Sequence, residues 1–322
     1  MLKEQETEEL LKNKRVVITG GAGFIGSNLA RSLFADNEII VIDNLLTGRY
    51  ENISDINSKI KFILSDINKL DVLKREFESA DYVLHLAAIA SVPKSVQDPI
   101  AANRNNVDGT LSVLVAARDC GVKRVIFASS SAVYGDASEM PLRETLPPRP
   151  LSPYAITKLA GEHYCRIFHE VYGLETVSLR YFNVFGPGQN PSSDYAAVIP
   201  KFIKAAEAGE RPTIYGDGEQ TRDFVFVQDV VRANILACVA PQAAGKAINI
   251  AAGKGISLNQ LLESLSIIFS RKIIPIYAAP RPGDIKHSLA DISLAKNILG
   301  YEPKVEIVEG LKVISHNKIK EF

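Results

Sequence analysis

The sequence has no excess of positive or negative charge. This balance argues against functions that depend on binding a highly charged partner. Its 322 residues contain 37 lysines and arginines against 37 aspartates and glutamates, so the formal net charge is zero. A chain balanced in this way does not suit a bulk electrostatic partner such as DNA or an anionic membrane. An anionic ligand would have to be held by a few placed groups. We therefore expect no nucleic-acid partner and no membrane partner.

Cysteines and long apolar runs are also scarce. The three cysteines, Cys120, Cys165 and Cys238, are widely spaced and form no CxxC pair, so neither a disulfide framework nor a zinc cluster is indicated. Histidine and acidic residues show no metal-ligand spacing, and we expect no metal. The chain also lacks a run of ~18 apolar residues, and its charged N-terminus is unlike a secretory signal. We expect a cytoplasmic protein.

The first half of the sequence alternates predicted strands with predicted helices. Short β-branched runs predict strands at 16–19, 39–42, 61–64, 82–86, 125–128 and 174–179. Continuous apolar runs suit strands that are buried on both faces of a parallel sheet. The alternation predicts an α/β fold with a doubly wound parallel (Rossmann) sheet. His85, inside the fourth run, is more typical of a core imidazole than of a catalytic one.

The regular alternation of predicted strands and helices ends near residue 183, where the Gly/Pro/Ser-rich stretch FGPGQNPSSD follows the sixth predicted strand. We predict a dinucleotide-binding domain over residues 1–182 and a smaller α/β substrate domain over residues 183–322. Residues 222–251 are expected to return to the first domain.

A glycine-rich turn follows the first predicted strand and opens a helix. Gly20, Gly23 and Gly26 have the spacing GxxGxxG, which permits a tight turn and a close approach of the backbone to a pyrophosphate. The phosphates would lie at the helix N-terminus, where N–H groups and the dipole favour anions. Asp43 ends the second strand and can accept from the adenosine ribose, while it would repel a 2′-phosphate. The predicted cofactor is therefore NAD.

Two further strand ends belong to the predicted cofactor site. Asp66 and Ile67 follow the third strand, and Leu86, Ala87 and Ala88 follow the fourth. Ligands bind at the carboxyl ends of the strands in such sheets. The small side chains after the fourth strand would let the backbone approach the cofactor.

Tyr154 and Lys158 place a phenol and an ammonium four residues apart, on one face of a helix. Pro153 precedes them, so the pair lies in the first turn, where the dipole also favours a phenolate. To act as a base near pH 7, a tyrosine must lose roughly 3 units from its ordinary pKa of about 10. Ser130, at the end of the fifth strand, can hydrogen-bond the substrate oxygen that loses its proton. These side chains predict a proton-transfer set beside a hydride acceptor.

Nine motifs together resemble the extended short-chain dehydrogenase/reductase family, and most closely its UDP-hexose 4-epimerases. They are GGAGFIG, VIDNLLTG, HLAA, NNVDGT, SSSAVYG, SPYAITK, LRYFNVFGP, QTRDFVFVQDV and RPGD. The resemblance implies an isomerase that interconverts UDP-glucose and UDP-galactose through a 4-keto sugar, with NAD bound throughout. It implies that Ser130 is the catalytic hydroxyl residue, that Tyr154 is the base, and that Lys158 also holds the nicotinamide ribose.

The turn, the strand ends and the resemblance together give the candidate site residues. For the cofactor these are Gly20, Gly23, Phe24, Ile25, Gly26, Asp43, Asn44, Gly48, Asp66, Ile67, Leu86, Ala87, Ala88, Asn105, Tyr154, Lys158 and Tyr181. For the UDP-sugar substrate they are Ser130, Ser131, Asn183, Val198, Ile199, Pro200, Tyr215, Arg222, Arg281, Asp284 and Ser288. Two arginines of this set can neutralise a diphosphate in an otherwise neutral protein.

Three features of the sequence narrow the implied reaction. The 4,6-dehydratases of the family have Asp-Glu directly after the catalytic hydroxyl residue, whereas this chain has Ser131 and Ala132, which disfavours dehydration. Relatives that act on glucuronate commonly have threonine where this chain has Asn183, which favours a neutral hexose. Ser288 stands where glucose-restricted epimerases have a large tyrosine, so an N-acetyl group would fit. We therefore expect activity on UDP-GlcNAc and UDP-GalNAc as well.

Two alternatives stay open, and the resemblance also implies an assembly. The chain could be a UDP-glucuronate 4-epimerase or decarboxylase of the same family. It could instead be a non-catalytic NAD- or nucleotide-sugar-binding regulator, although such relatives often lose the tyrosine or the lysine. In relatives, the helices that match residues 105–120 and 153–171 pair into a four-helix dimer interface, which implies a homodimer.

Overall fold

The structure, a computed structural model, describes residues 11–189, 198–280 and 285–319. Its strands are β1 (Arg15–Thr19), β2 (Glu38–Asp43), β3 (Lys61–Leu64), β4 (Tyr82–His85), β5 (Arg124–Ser130), β6 (Glu175–Tyr181), β7 (Asn183–Phe185), β8 (Thr213–Tyr215), β9 (Thr221–Phe226), β10 (Lys246–Ile250), β11 (Gly255–Ser257) and β12 (Ile276–Ala278).

Helices connect most of these strands. They are α1 (Phe24–Leu33), α2 (Leu70–Phe77), α3 (Val92–Gln97), α4 (Pro99–Asn103), α5 (Gly109–Asp119), α6 (Pro153–Tyr172), α7 (Val198–Ala208), α8 (Val227–Val239), α9 (Leu258–Ile268), α10 (Ser293–Leu299) and α11 (Ile307–Ile319). Within the ranges that the structure describes, no helix is long and apolar enough to cross a membrane.

A seven-stranded sheet in the order β10-β6-β5-β4-β1-β2-β3 forms the centre of the molecule, and all its neighbouring strands are parallel. Alternate residues of a strand point to opposite faces. Thus Val16 and Ile18 of β1 join the core beside α1 and α8, while Val17 joins the core beside α2, α5 and α6. The prediction of a doubly wound parallel sheet is confirmed.

The strand order reverses between β1 and β4, because β2 and β3 extend the sheet to one side of β1 and β4, β5, β6 and β10 extend it to the other. A crevice opens at the carboxyl ends of the strands at such a point, and ligands bind there in open α/β sheets. The glycine turn after β1 and the HLAA segment after β4 both reach this crevice.

A smaller region stands beside the carboxyl edge of the large sheet. It contains a three-stranded sheet (β11-β9-β7), a two-stranded sheet (β12-β8) and a separate core that includes Phe185, Phe202, Ile214 and Leu262. The chain then returns to the large sheet, because β9 runs directly into α8 and β10 pairs with β6. Phe226 is both the last residue of β9 and the N-cap of α8.

Candidate active site

The turn between β1 and α1 has no room for side chains. Gly20 has a φ of +71°, and a Cβ at this position would lie 2.6 Å from the backbone nitrogen of Ala87. A Cβ at Gly26 would lie 2.4 Å from the Gly20 carbonyl oxygen. The N-cap of α1 is Gly23, which offers no side-chain hydrogen bond, so the first N–H groups of the helix are left to an external acceptor. The turn therefore forms a cradle for an anionic group.

Asp43 ends β2 with a buried carboxylate beside this cradle. Its oxygens accept from the backbone N–H of Ala22 at 3.0 Å and of Leu45 at 2.8 Å. Burial raises the pKa of Asp43, while the two backbone hydrogen bonds lower it. A Cβ at Gly48 would lie 2.9 Å from the Asp43 Oδ2, so glycine lets the following loop close over the carboxylate.

A small crevice at the carboxyl ends of β1, β2 and β4 brings many of the cofactor candidates together. Its lining includes Gly20, Asp43, Asn44, Ile67, Ala87, Ala88 and Asn105. Asp66 stands next to it and accepts from the Asn44 side chain at 3.2 Å. Phe24 and Ile25 form the first turn of α1, and the Leu86 N–H donates to the Thr19 carbonyl at the top of β1.

The proton-transfer set predicted from the sequence meets where β5 ends and α6 begins. The Ser152 side chain caps α6, and Pro153 occupies its first turn. Lys158 is buried, and its Nζ donates to the Ala128 carbonyl at 2.7 Å and lies 5.9 Å from the centroid of the Tyr154 ring. Ser130 and Tyr154 line the same cavity beside this pair.

Burial shifts the pKa values of this pair in opposite directions. It raises the pKa of Tyr154, which the Ser130 hydrogen bond lowers, and it lowers the pKa of Lys158 to about 8. Both shifts favour the uncharged form of the side chain. A phenolate at this position therefore requires positive charge close by, which Lys158 supplies only while it is protonated.

Two adjoining cavities lead from the smaller region to the end of β5. The outer cavity, of about 460 Å³, is lined by Asn183, Val184, Val198, Ile199, Tyr215 and Arg222, among others. The inner cavity, of about 590 Å³, is lined by Ser130, Ser131, Tyr154, Tyr181, Asn183, Arg222 and Ser288, among others. Because Asn183 and Arg222 line both cavities, one ligand could extend from the outer cavity to the proton-transfer set.

Some of the candidate residues lie elsewhere. Pro200 is buried inside α7 and is not among the residues that line the outer cavity, unlike its neighbours Val198 and Ile199. Arg281 and Asp284 lie outside the described residues. Tyr181 lines the inner cavity, and its hydroxyl donates to the Asn234 side chain at 2.9 Å.

The site also contains residues that the sequence did not single out. Gln220 lines the outer cavity, and its Nε2 donates to the Tyr215 carbonyl at 2.6 Å. Asp223 is fully buried and accepts from the backbone N–H of Ala252 and of Ala290, which tethers the segment that carries Ser288. Both residues belong to the motif QTRDFVFVQDV, so the motif could have identified them from the sequence as residues of the site.

Asn106 was also overlooked, next to the candidate Asn105. Its side chain is buried, accepts from the Ile89 N–H at 2.8 Å and donates to the Thr157 hydroxyl at 3.0 Å. It thereby fastens the loop after β4 to the catalytic helix α6. Among the described residues, no group of three or more histidine, cysteine or acidic side chains is placed to hold a metal ion.

Comparison with known proteins identifies the family. A family model described as the NAD dependent epimerase/dehydratase family matches residues 16–251. The chain belongs to this family. The predicted resemblance is thereby confirmed, and so is NAD as the cofactor.

Relatives match over nearly the whole length of the chain. A putative UDP-glucose 4-epimerase from Methanocaldococcus jannaschii is 38% identical over 300 residues, which are 92% of this chain and 96% of the relative. The structure of a UDP-N-acetylglucosamine 4-epimerase from Methanobrevibacter ruminantium M1, in complex with UDP-N-acetylmuramic acid, has a TM-score of 0.93 at 46% identity and covers 97% of this chain and 100% of its own.

A third relative is the UDP-glucuronic acid 4-epimerase from Bacillus cereus, solved in complex with UDP-glucuronic acid and NAD. It has a TM-score of 0.87 at 33% identity, and the match covers 96% of this chain and 100% of that chain. The residues of the present chain also fit NAD on chemical grounds. The glycine cradle can accept a pyrophosphate, and Asp43 can accept hydrogen bonds from ribose hydroxyls.

Proposed function

We propose that this enzyme is an NAD-dependent UDP-hexose 4-epimerase, an isomerase that interconverts UDP-glucose with UDP-galactose and UDP-GlcNAc with UDP-GalNAc. The observation that carries the proposal is the junction of the two cavities at Asn183 and Arg222. A UDP group in the outer cavity would place its hexose in the inner cavity beside Ser130 and Tyr154.

The chain's own residues bind the substrate and move one proton. Arg222 would neutralise the charge of the diphosphate, and Asn183 lines the same junction of the two cavities. Tyr154 removes the proton from the sugar O4 and returns it after the sugar has turned over, while Ser130 orients that oxygen. Lys158 stabilises the phenolate through its positive charge. Bound NAD supplies a reversible hydride acceptor, so the reaction has no net redox change.

The cofactor would be held mainly by the large sheet. The cradle around Gly20, Gly23 and Gly26 receives the pyrophosphate, and Asp43 accepts from the adenosine ribose. Lys158 serves the nicotinamide ribose as well as the phenolate. We accordingly divide the chain into an NAD-binding domain of residues 1–182, to which residues 222–251 return, and a nucleotide-sugar domain formed by the rest of 183–322.

Acceptance of the N-acetyl group rests on Ser288. Its small side chain is buried against the inner cavity, and its N–H donates to the Thr221 carbonyl at 3.1 Å. The relative of 46% identity is named for UDP-N-acetylglucosamine and binds a UDP-N-acetyl sugar, which supports the same substrate class here. The epimerase named for UDP-glucuronic acid supports the second candidate, a UDP-glucuronate 4-epimerase or decarboxylase.

Product separation distinguishes these functions. The enzyme would be incubated separately with UDP-glucose, UDP-GlcNAc, UDP-galactose and UDP-glucuronate, and the products resolved by anion-exchange chromatography. We expect epimers of the three neutral sugars and no conversion of glucuronate. Conversion of glucuronate alone would replace the proposal with the second candidate, and NAD binding without any conversion would favour a regulator.

The substitution Ser288→Tyr tests the space for the acetyl group. The added ring should lower the rate on UDP-GlcNAc at least tenfold relative to the rate on UDP-glucose, since it fills the space beside C2. Ser288→Ala keeps that space open and serves as the control. An unchanged ratio of the two rates in the tyrosine variant would show that Ser288 does not gate the substrate.

A homodimer in the cytoplasm completes the proposal. Helix α6 exposes Ile156, which is 56% accessible, and the neighbouring α4 exposes Ile100, which is 80% accessible. Apolar side chains of this size on adjacent helices suit an interface with a second copy of the chain.

A further inference from the structure

A stripe of buried polar residues extends along the inner face of α6 beyond the catalytic pair. Tyr154, Lys158 and Glu162 follow one another at intervals of four residues, so they stand in a row on one side of the helix. Lys158 and Glu162 are 4% and 7% exposed. Glu162 belongs to no motif that the proposed mechanism uses. Burial of a carboxylate costs free energy unless the charge is paired and hydrogen-bonded.

Arg180 of β6 holds Glu162 with a two-pronged ion pair. Its Nε donates to Oε1 at 2.9 Å and its Nη2 donates to Oε2 at 2.7 Å. The Ser129 hydroxyl donates to the same carboxylate, one residue before Ser130. The remaining Arg180 nitrogen, Nη1, donates to the Tyr134 hydroxyl at 2.8 Å. Such a fork fixes the carboxylate in orientation.

The other groups that face Lys158 carry no negative charge near neutral pH. Burial lowers the pKa of His85 on β4 to about 3 and raises that of Cys165 on α6 to about 12, so both are neutral. From β5, Lys158 meets only the Phe127 ring and the Ala128 carbonyl among the described contacts. Burial lowers the pKa of Lys158, and Cys165 and Glu162 raise it. The thiol is uncharged, whereas Glu162 lies one helical turn from Lys158 on the same buried face of α6. The Glu162 carboxylate therefore supplies the stabilising charge.

On its far side, the ion pair of Glu162 and Arg180 is close to Tyr134 and Glu144. Arg180 faces Tyr134, and burial raises the pKa of Tyr134 to about 12, so that this group is a neutral phenol. Burial raises the pKa of Glu144, and the charge of Arg180 is among the influences that lower it. These groups support the guanidinium and leave Glu162 as the carboxylate that acts on Lys158.

We propose that Glu162, held by Arg180, is a positioning residue that keeps the Lys158 ammonium charged and thereby sets the upper pH limit of the reaction. The inference rests on the proposed epimerase function. Loss of the charge on Lys158 would remove the stabilisation of the Tyr154 phenolate, and activity would fall as pH rises. Without Glu162, that fall comes at lower pH.

Glu162→Gln tests the proposal, because glutamine keeps the shape of the side chain and removes its charge. In the NAD-saturated enzyme, we expect the basic limb of the kcat profile to move down by about one pH unit, the size of effect that one nearby opposite charge produces. The ¹³Cε resonance of Lys158, assigned with Lys158→Arg, should titrate lower by the same amount. Glu170→Gln is the matched control, because Glu170 lies on the same helix but is exposed and pairs with Arg166.

A Glu162→Gln protein that folds normally, yet shows no downward movement of either the kcat limb or the Lys158 titration, would overturn the proposal. If this variant does not fold, Glu162→Asp provides a second test, because the shorter side chain moves the charge away from Lys158 by one methylene. The kcat limb and the Lys158 titration should then both move to lower pH, but by less. No movement of either in this variant would also overturn the proposal. Wild-type protein that converts no UDP-sugar would refute the epimerase function, whereas the Lys158 titration would still decide the role of Glu162.

Discussion

At the scale of single residues, the catalytic pair shows how burial and charge oppose each other. The surroundings favour a neutral phenol at Tyr154 and a neutral amine at Lys158. An ionised pair is stabilised only when both groups ionise together, since each charge then offsets the cost of burying the other. The base is therefore active over the pH range in which Lys158 holds its proton.

Replacement of Tyr154 by phenylalanine should lower kcat by about 10²–10⁴-fold, because general base catalysis is lost while the shape of the inner cavity is kept. Affinity for the nucleotide sugar should change less than twofold, as measured by isothermal titration calorimetry. Tyr164→Phe on the same helix is the control and should retain full turnover. If kcat of the Tyr154 variant stayed within tenfold of wild type, another group would have to be the base.

Residue identity could be predicted from the sequence where a motif carries a chemical requirement. Gly20, Asp43 and Ala87 line one crevice as expected, because they follow strands whose carboxyl ends meet at one edge. The roles of Asn105 and Asn106 could not be separated, since two adjacent asparagines look alike in a sequence. Their difference comes from a π-helical turn over Arg104–Asp108, which turns the second asparagine towards α6.

At the scale of elements, the long buried runs were predicted well and the short strands were not. The predicted strand at 39–42 lies within the buried β2, and the predicted helix from 153 to 171 corresponds to α6. In contrast, β7, β8, β11 and β12 have three residues each. A run of that length carries no periodicity, and its partner strands come from distant parts of the chain, so only the folded molecule defines them.

The turn between β1 and α1 gives a prediction for one element. Gly26→Ala would bring a Cβ to 2.4 Å from a backbone oxygen and 2.7 Å from the Gly21 Cα, neither of which can yield alone. We expect at least tenfold weaker NAD binding, measured by fluorescence titration, and an unfolding free energy lower by about 1–3 kcal/mol. Gly255→Ala is the control, because its Cβ would make an ordinary contact at 3.7 Å with Thr221. Equal NAD affinity in the two variants would contradict this account of the cradle.

At the scale of the whole molecule, the buried His85 couples stability to pH. It lies between the hydroxyls of Thr19 and Thr110 at 2.7 and 2.9 Å, and burial lowers its pKa from 6.5 to about 3. Between pH 6.5 and pH 3, His85 is therefore protonated in the unfolded chain and neutral in the folded chain. This contribution lowers the unfolding free energy by about 1.4 kcal/mol for each pH unit down to pH 3.

His85→Gln removes this proton uptake, so its unfolding free energy should fall less steeply than that of wild type between pH 6 and pH 4. Urea denaturation at several pH values would measure the two slopes. His163→Gln, at an exposed position on α6, should keep the wild-type slope. Parallel slopes for wild type and His85→Gln would show that His85 takes up its proton in the folded state.

The proposed homodimer belongs to the same scale. Ile156→Glu would place a charge in the apolar face of α6, and we expect sedimentation at the monomer mass. Ile267→Glu, on α9 in the smaller region, introduces the same charge at a side chain that is 73% accessible and should leave the dimer intact. A dimeric Ile156 variant would place the interface elsewhere on the protein.

The continuous passage from β9 into α8 limits how the two parts of the enzyme can move. Phe226 ends a strand of the smaller region and caps a helix that packs against α1 and the large sheet. A hinge movement that separated the two parts would pull the continuous segment of β9 and α8 out of one of the two cores. We therefore expect the two parts to move little relative to each other, so that a UDP-sugar would enter and leave through the outer cavity and not by separation of the two cores.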